Sequence, residues 1–292
     1  MTPPRQILPG VTYLVTRRCT QRQFLLRPRR LVNETFLYLL ALAADRFGIR
    51  VHAFCVLSNH YHLLLTDPHA RLPAFSQFLD SLVARSLNAL YGRWEHFWAP
   101  GSYSAVALAT PEDVLAKAAY LLANPVAAGL VRSAKSWPGL WSSPDAIGTS
   151  LEVERPAHFF DPEGQLPRSI ELPLRAPPGF ESTTAFRTAL TAALAVQEEA
   201  ERKGKAFLGA ARVLSQKPTG RPVPGEPRRQ LNPRVAARDK WKRVERLRQL
   251  VGFLEAYYAA WEARRAGDLG SRFPAGTYLL RVLHGVPCAE FG

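Results

Sequence analysis

Two apolar runs, Val51 to Leu57 and Leu63 to Leu65, stand on either side of the stretch Ser58-Asn59-His60-Tyr61-His62. The pattern predicts two strands with Ser58-Asn59 as the tight connection between them. In a strand, residues two apart project to the same face. His60 and His62 would then present two imidazoles side by side, and the bulky Tyr61 would lie on the opposite face. Two neutral imidazoles on one face form a partial site for a divalent metal whose third ligand comes from elsewhere in the chain. The other reading is a pair of polar side chains on a solvated sheet face, and the pair by itself favours it.

The segments around this pair complete a recognisable order. Val11 to Thr16 is rich in β-branched residues and predicts a strand. Arg17, Arg18 and Arg22 follow at its end, either as a solvated cluster or as phosphate contacts. Leu31 to Phe47 has helical spacing and is followed by Gly48, a good residue for a left-handed helix stop. Leu72 to Leu90 predicts a second helix, and Gly101 to Ala109 alternates like a strand. The order strand, helix, strand, strand, helix, strand is that of a ferredoxin-like α+β domain, with two helices on one face of an antiparallel sheet. The second face would be left free for a ligand or partner. A further helix starts at Thr110 as N-cap with Pro111 at its first position, and Pro125 should end it near Asn124. Tyr120 and Asn124, four apart, share one face of its last turn. Without other information, Tyr120 is equally an amphipathic aromatic on a half-buried helix and Asn124 a polar helix end.

The formal net charge of +14 and a pI near 10.2 set this chain apart from an average globular protein. A strongly basic protein usually meets a polyanion. The three cysteines, Cys19, Cys55 and Cys288, are scattered and form no Cys-x-x-Cys pair, which points to a reducing cytoplasm and away from a zinc framework. No secretion-signal pattern or membrane-length apolar run is visible, so no membrane partner is expected.

His60-Tyr61-His62, within Ser-Asn-His-Tyr-His-Leu-Leu-Leu, resembles the His-hydrophobic-His motif of the HUH nucleases. Tyr120-Leu121-Leu122-Ala123-Asn124-Pro125-Val126 resembles the Tyr-x-x-x-Asn-Pro-Val segment of the REP-associated tyrosine transposases, the single-tyrosine branch of the HUH transposases. Trp137 to Ser143 resembles the Trp-Ser-Ser stretch that commonly follows. The resemblance covers roughly the first half of the chain. It implies a domain that cuts one DNA strand and rejoins it through a 5′-phosphotyrosine linkage. It further implies His60, His62 and Asn124 as ligands of Mg²⁺ or Mn²⁺, and Tyr120 as nucleophile. Insertion-sequence relatives tend to carry Gln where Asn124 stands; Asn is one methylene shorter and offers the same carbonyl oxygen. The implied partner is single-stranded DNA, including strands that fold into hairpins, for a monomer or homodimer in the cytoplasm at the nucleoid.

Three regions are expected: a catalytic domain over 1–145, a Pro-rich linker over 146–181, and a basic, largely helical extension over 182–292. In the extension, Thr183 to Leu214 and Val235 to Ala266 predict helices, and Lys217 to Pro233 is rich in Pro, Gly and Arg. Residues 201–250 carry 15 Lys and Arg against 4 Asp and Glu, whereas 251–292 carry 4 of each. Arg228, Arg229, Arg234, Lys240, Lys242 and Arg243 are therefore candidate DNA-backbone contacts, with a solvated helix face as the alternative. Two other readings compete, the first of them on the same scaffold. A non-catalytic nucleic-acid-binding protein lacks the aromatic RNA-recognition signature here. A small-phosphodiester hydrolase lacks a carboxylate-rich ligand cluster.

Overall fold

The structure is a computed structural model, and it describes residues 3–101, 103–223 and 233–291. The chain runs β1 (Val11–Arg18), α1 (Arg30–Phe47), β2 (Arg50–Leu57), β3 (His60–Asp67), α2 (Leu72–Tyr91), β4 (Ser104–Leu108) and α3 (Pro111–Ala127). It continues through β5 (Ser150–Glu154), β6 (Ser169–Pro173), α4 (Thr183–Arg202), α5 (Ala210–Leu214), β7 (Val235–Ala236), α6 (Lys240–Arg265) and α7 (Leu279–His284). The main sheet has the order β2-β3-β1-β4-β7. All its pairs are antiparallel except β4 with β7, which is parallel. The first four strands and two helices reproduce the ferredoxin-like α+β order. Among the described residues, no helix is long and apolar enough to cross a membrane.

Local chemistry accounts for the element ends. Gly48 (φ +66) and Gly92 (φ +59) stop α1 and α2 in the left-handed region that glycine adopts without a Cβ penalty. The Asp67 carboxylate accepts from the backbone amides of His69, Arg71 and Leu72, at 3.2, 2.9 and 2.7 Å, and so fixes the passage from β3 into α2. Thr110 caps α3 by accepting from the Asp113 amide at 3.2 Å.

Both faces of the sheet are covered, contrary to the expectation of one free face. Tyr13, Val15, Phe54, Val56, Tyr61, Leu63 and Leu65 pack under α1 and α2. Leu14, Cys55, Leu57, Leu64 and Val106 pack under α3, with Trp137 and Phe186 of α4 behind it. The cause is α3 itself, whose apolar side, from Val114 through Leu122, would otherwise be bare.

Four local expectations also change. Pro125 lies inside α3 rather than beyond its end: it falls in the last turn, Trp141 Nε1 donates to the Leu122 carbonyl at 3.0 Å, and burial of Pro125 and Val126 offsets the missing backbone bond. Residues 146–181 are not irregular throughout, because Leu151, Val153, Ile170 and Leu172 alternate on the β5–β6 hairpin and turn their apolar side onto α1. The helix expected over 183–214 is broken by Gly204 (φ +68) and Gly209 (φ +85), where Leu208 and Gly209 donate to the carbonyls of Gly129 and Leu130 at 2.9 Å. The helix expected from Val235 starts only at Lys240, with Asp239 as its cap; Val235 and Ala236 are taken up as the sheet's edge strand.

Candidate active site

Register fixes the His pair. Across β3, His62 faces Thr16 of β1 and Cys55 of β2, while His60 faces Arg18 and Leu57. The alternation sends Tyr61 the other way, into the layer under α1 and α2. There its ring meets Phe36 and Trp98 edge-on at 5.2 and 5.6 Å, and its hydroxyl donates to Asp80 Oδ1 at 2.7 Å. The two imidazole rings lie 4.8 Å apart, almost perpendicular. His62 is buried and His60 half-buried.

Each ring is held at Nδ1. His62 Nδ1 lies 2.7 Å from Thr16 Oγ1. His60 Nδ1 lies 2.6 Å from Asn59 Oδ1, and the Asn59 amide is oriented because its Nδ2 donates to the Arg22 carbonyl at 3.3 Å. An acceptor oxygen at Nδ1 places the His60 proton there and gives Nε2 the lone pair. Burial above all, then His62, Arg18 and Arg22, holds the His60 pKa well below 6.5, so this ring is neutral at physiological pH.

The third element of the site is α3, which crosses the same face. The Tyr120 ring stands 6.0 Å from that of His62. Asn124, one turn on and largely buried, donates through Nδ2 to the Tyr120 carbonyl at 3.3 Å. That bond leaves Oδ1 as its acceptor atom. Lys117, one turn before, brings its ammonium 5.3 Å from the Tyr120 ring centroid. Among the described residues no group of three or more His, Cys, Asp or Glu could hold a metal. The candidate donors are the two imidazole nitrogens and the Asn124 amide oxygen, types that suit a divalent ion whose remaining positions are filled by oxygens of water or phosphate.

The arginines and lysines separate. Arg18 is exposed beside His60, and half-buried Arg22 lies at the same rim. Arg17 points to the opposite face, where its Nε is 3.6 Å from Asp80 Oδ2 and its Nη1 donates to the Gly101 carbonyl at 2.6 Å. Arg234 lies at β7, its carbonyl bonded to the Ala107 amide at 2.9 Å. Lys240, Lys242 and Arg243 are exposed at the start of α6, with Lys242 near Glu112 at the start of α3. Eight helical residues separate Glu112 from Tyr120, about 12 Å of rise. Arg228 and Arg229 lie outside the described residues. Sequence reasoning missed Thr16, Asn59 and Lys117. Asn59 and Lys117 carried a signal, by adjacency to His60 and by i−3 spacing from Tyr120; Thr16 needed the strand register.

No protein-family model matches the chain, and no curated protein sequence matches it. Solved structures do. The chain is similar to a REP-associated tyrosine transposase bound to a REP hairpin, with 18% identity and a TM-score of 0.41 over 48% of this chain and 81% of that one. It is also similar to a candidate transposase from Deinococcus radiodurans R1, with 21% identity and a TM-score of 0.29 over 36% of this chain and 85% of that one. These are partial likenesses of shape.

Proposed function

We propose that the protein cuts and rejoins single-stranded DNA as a tyrosine transposase, with Tyr120 as nucleophile. The observation that carries this reading is the Tyr120 ring 6.0 Å from His62, with Asn124 one turn on along the same helix. His60, His62 and Asn124 would hold Mg²⁺ or Mn²⁺. Such an ion, when bound, supplies neutralising charge at a phosphate oxygen. The chain's own residues do the rest. Thr16 and Asn59 fix the two imidazoles, and the fixed rings hold the site rigid on a sheet rather than on a loop. Arg18 adds positive charge at the rim where a phosphate backbone would enter.

Tyr120 is on a helix packed across the sheet, so its hydroxyl has a defined approach to a phosphorus atom lying over His62. The Tyr120 Oη–P bond forms as the P–O3′ bond breaks. The phenol proton passes to water, and the departing 3′ oxygen takes up a proton to leave as a hydroxyl. A 3′ hydroxyl attacking the same phosphorus reverses the step and releases Tyr120, so cutting and rejoining share one geometry. Lys117, whose ammonium lies 5.3 Å from the Tyr120 ring centroid, would add positive charge near the phenolate formed on release. The substrate proposed is single-stranded DNA that forms a hairpin.

The test is a strand from the DNA flanking the protein's own gene, labelled at internal phosphates and incubated with protein and Mn²⁺. Wild type should form a covalent adduct that retains the 5′ phosphate of the cut strand. Tyr120→Phe keeps the ring against His62, so folding and DNA binding should persist while cleavage and adduct disappear. An adduct in the Phe variant, or linkage to a 3′ end, refutes the assignment.

A further inference from the structure

Helix α6 is 26 residues long, yet only Phe253 and Ala260 on it are buried. Its own chain takes one side of it. Tyr257 packs beside Phe253 and meets Phe273 at 5.4 Å, and Ala260 joins Phe273 and Val286 in a small cluster. Residues 253, 257 and 260 share that side at helical spacing. A second apolar row stands about a third of a turn round the helix. Val244, Leu247, Val251, Leu254, Tyr258 and Trp261 follow one another at steps of three and four, so three consecutive heptads carry an apolar residue at both seam positions. Four of the six are exposed: Leu247 by 45%, Val251 by 52%, Tyr258 by 44% and Trp261 by 38%. Val244 and Leu254 are half-buried. A seam of this spacing is the pattern of a helix that packs lengthwise on another helix.

Charge decides which helix that is. Residues 240–250 carry five Lys and Arg against one Glu, whereas 251–263 carry two Glu and no Lys or Arg. Such a helix repels a parallel copy of itself, because Arg243 would come opposite Arg248 of the second copy and the two basic ends would lie side by side. An antiparallel copy sets the basic half of one helix against the acidic half of the other. The seam fits this orientation in size as well. With Val251 layered on Leu254 of the second copy, Leu247 falls on Tyr258 and Val244 on Trp261, so each large ring meets a smaller aliphatic side chain. Arg248 then lies alongside Glu255 and Glu262 of the second copy, on the flank away from the body. Among the described residues none of these three charges has an ion-pair partner in its own chain.

We infer that α6 pairs antiparallel with α6 of a second copy of this chain along Val244–Trp261, and that this seam makes the protein a homodimer. The inference goes beyond the strand-cutting reading and uses none of Tyr120, His60 or His62.

Sedimentation equilibrium of the full chain, nuclease-treated and free of DNA, tests it over about 1–100 μM. Wild type should approach twice the 32.5 kDa chain mass as concentration rises. Val251→Glu places a charge in the middle of the seam at an exposed position. Folding, followed by far-ultraviolet circular dichroism, should persist while the dimer weakens at least about tenfold. Arg248→Glu should weaken it about threefold or more, and the swap Arg248→Glu/Glu255→Arg/Glu262→Arg should recover wild-type affinity within about threefold, because each pair returns with its signs reversed. Tyr120→Phe should dimerise as wild type does, which separates failure here from failure of the strand-cutting reading. A wild type still monomeric at about 100 μM, or a dimer that Val251→Glu leaves unchanged, overturns the inference. A dimer that Arg248→Glu strengthens is parallel and overturns the antiparallel pairing. A monomeric wild type whose binding to a short single strand is lost in Val251→Glu assigns the seam to DNA and overturns the inference too.

Discussion

Asp80 offers a measurement of the frame that holds Tyr61, and hence the strand carrying the His pair. Its side chain is 13% exposed and faces the Tyr61 hydroxyl at 2.7 Å and Arg17 at 3.6 Å. Burial raises its pKa from 3.8 to about 7, against the opposing effects of the Tyr61 bond and Arg17. A carboxyl with a folded pKa above its unfolded one favours folding while protonated. That contribution is whole below about pH 4 and is lost as pH rises through about 7. A climb of roughly three units corresponds to a loss on the order of 4 kcal/mol across the window. Asp80→Asn keeps an oxygen to accept from Tyr61 and cannot ionise. Below about pH 7 the protonated Asp80 of the wild type gives Arg17 no carboxylate either, so over this window the variant differs chiefly in being unable to ionise. The observable is therefore the difference between the two proteins, from urea unfolding followed by tryptophan fluorescence at about pH 4.5 and about pH 7.5. His52, whose pKa burial lowers to about 4, and His60 make folding more favourable as pH rises. Both are common to the two proteins and cancel. The Asn variant should gain several kcal/mol relative to wild type between the two pH values. Parallel profiles would refute a buried, proton-holding Asp80.

Other perturbations address the site directly. His60→Ala and His62→Ala should each weaken Mn²⁺ binding, followed by calorimetry, about tenfold or more and abolish metal-dependent cleavage; Asn59→Ala and Thr16→Val, which free the rings to turn, should weaken it less. Unchanged Mn²⁺ affinity in both alanine variants would remove the paired-imidazole site. Arg18→Ala should reduce binding of short single strands and lower the salt slope by about one counter-ion. The triple variant Lys240→Ala/Lys242→Ala/Arg243→Ala, altered at the other end of α3 from Tyr120, should leave cleavage of such short strands within about twofold; a larger loss would place the strand along α6.

The fold was legible where one residue type left few choices. The apolar runs on either side of Ser58-Asn59, glycine at 48, and the Thr110-Pro111 start each specify local geometry without help from distant chain, and the ferredoxin-like order followed from them. What failed did so where tertiary packing overrode a local signal. Pro125 should end a helix, yet burial against the sheet and the Trp141 donor keep its last turn. Leu151-Glu152-Val153 and Ile170-Glu171-Leu172 alternate plainly, but the surrounding prolines hid a hairpin whose apolar side exists to cover α1. The site divides in the same way. The shared face of His60 and His62 and that of Tyr120 and Asn124 are periodicity statements. Their meeting across 6.0 Å depends on α3 lying over the sheet, which no period in the sequence states.

The extension bears on how any of this is tested. After α4, the Leu208 and Gly209 amides bond to the end of α3 and Lys205 Nζ donates to the Ala127 carbonyl at 2.9 Å. The chain then reaches the turn before His60, where Ser58 Oγ donates to Gln216 Oε1 at 2.6 Å and Arg27 Nη1 to the Gln216 carbonyl at 2.5 Å. Phe24 donates to the Gly220 carbonyl at 3.0 Å, and Arg221 reaches Gln21. Residues 205–221 thus join the three pieces that carry Tyr120, His60 and Arg22. A truncation near residue 217 removes the Gly220 and Arg221 contacts along with the basic helix. Lost activity after such a truncation would report on the Ser58–Asn59 turn as much as on DNA contacts. Point substitutions separate the two. Gln216→Ala should lower Mn²⁺ affinity through the turn, with DNA salt dependence unchanged, because it removes a hydrogen bond and no charge. If Gln216→Ala instead changes the salt slope and leaves Mn²⁺ binding alone, the segment acts on the strand and not on the His60 turn.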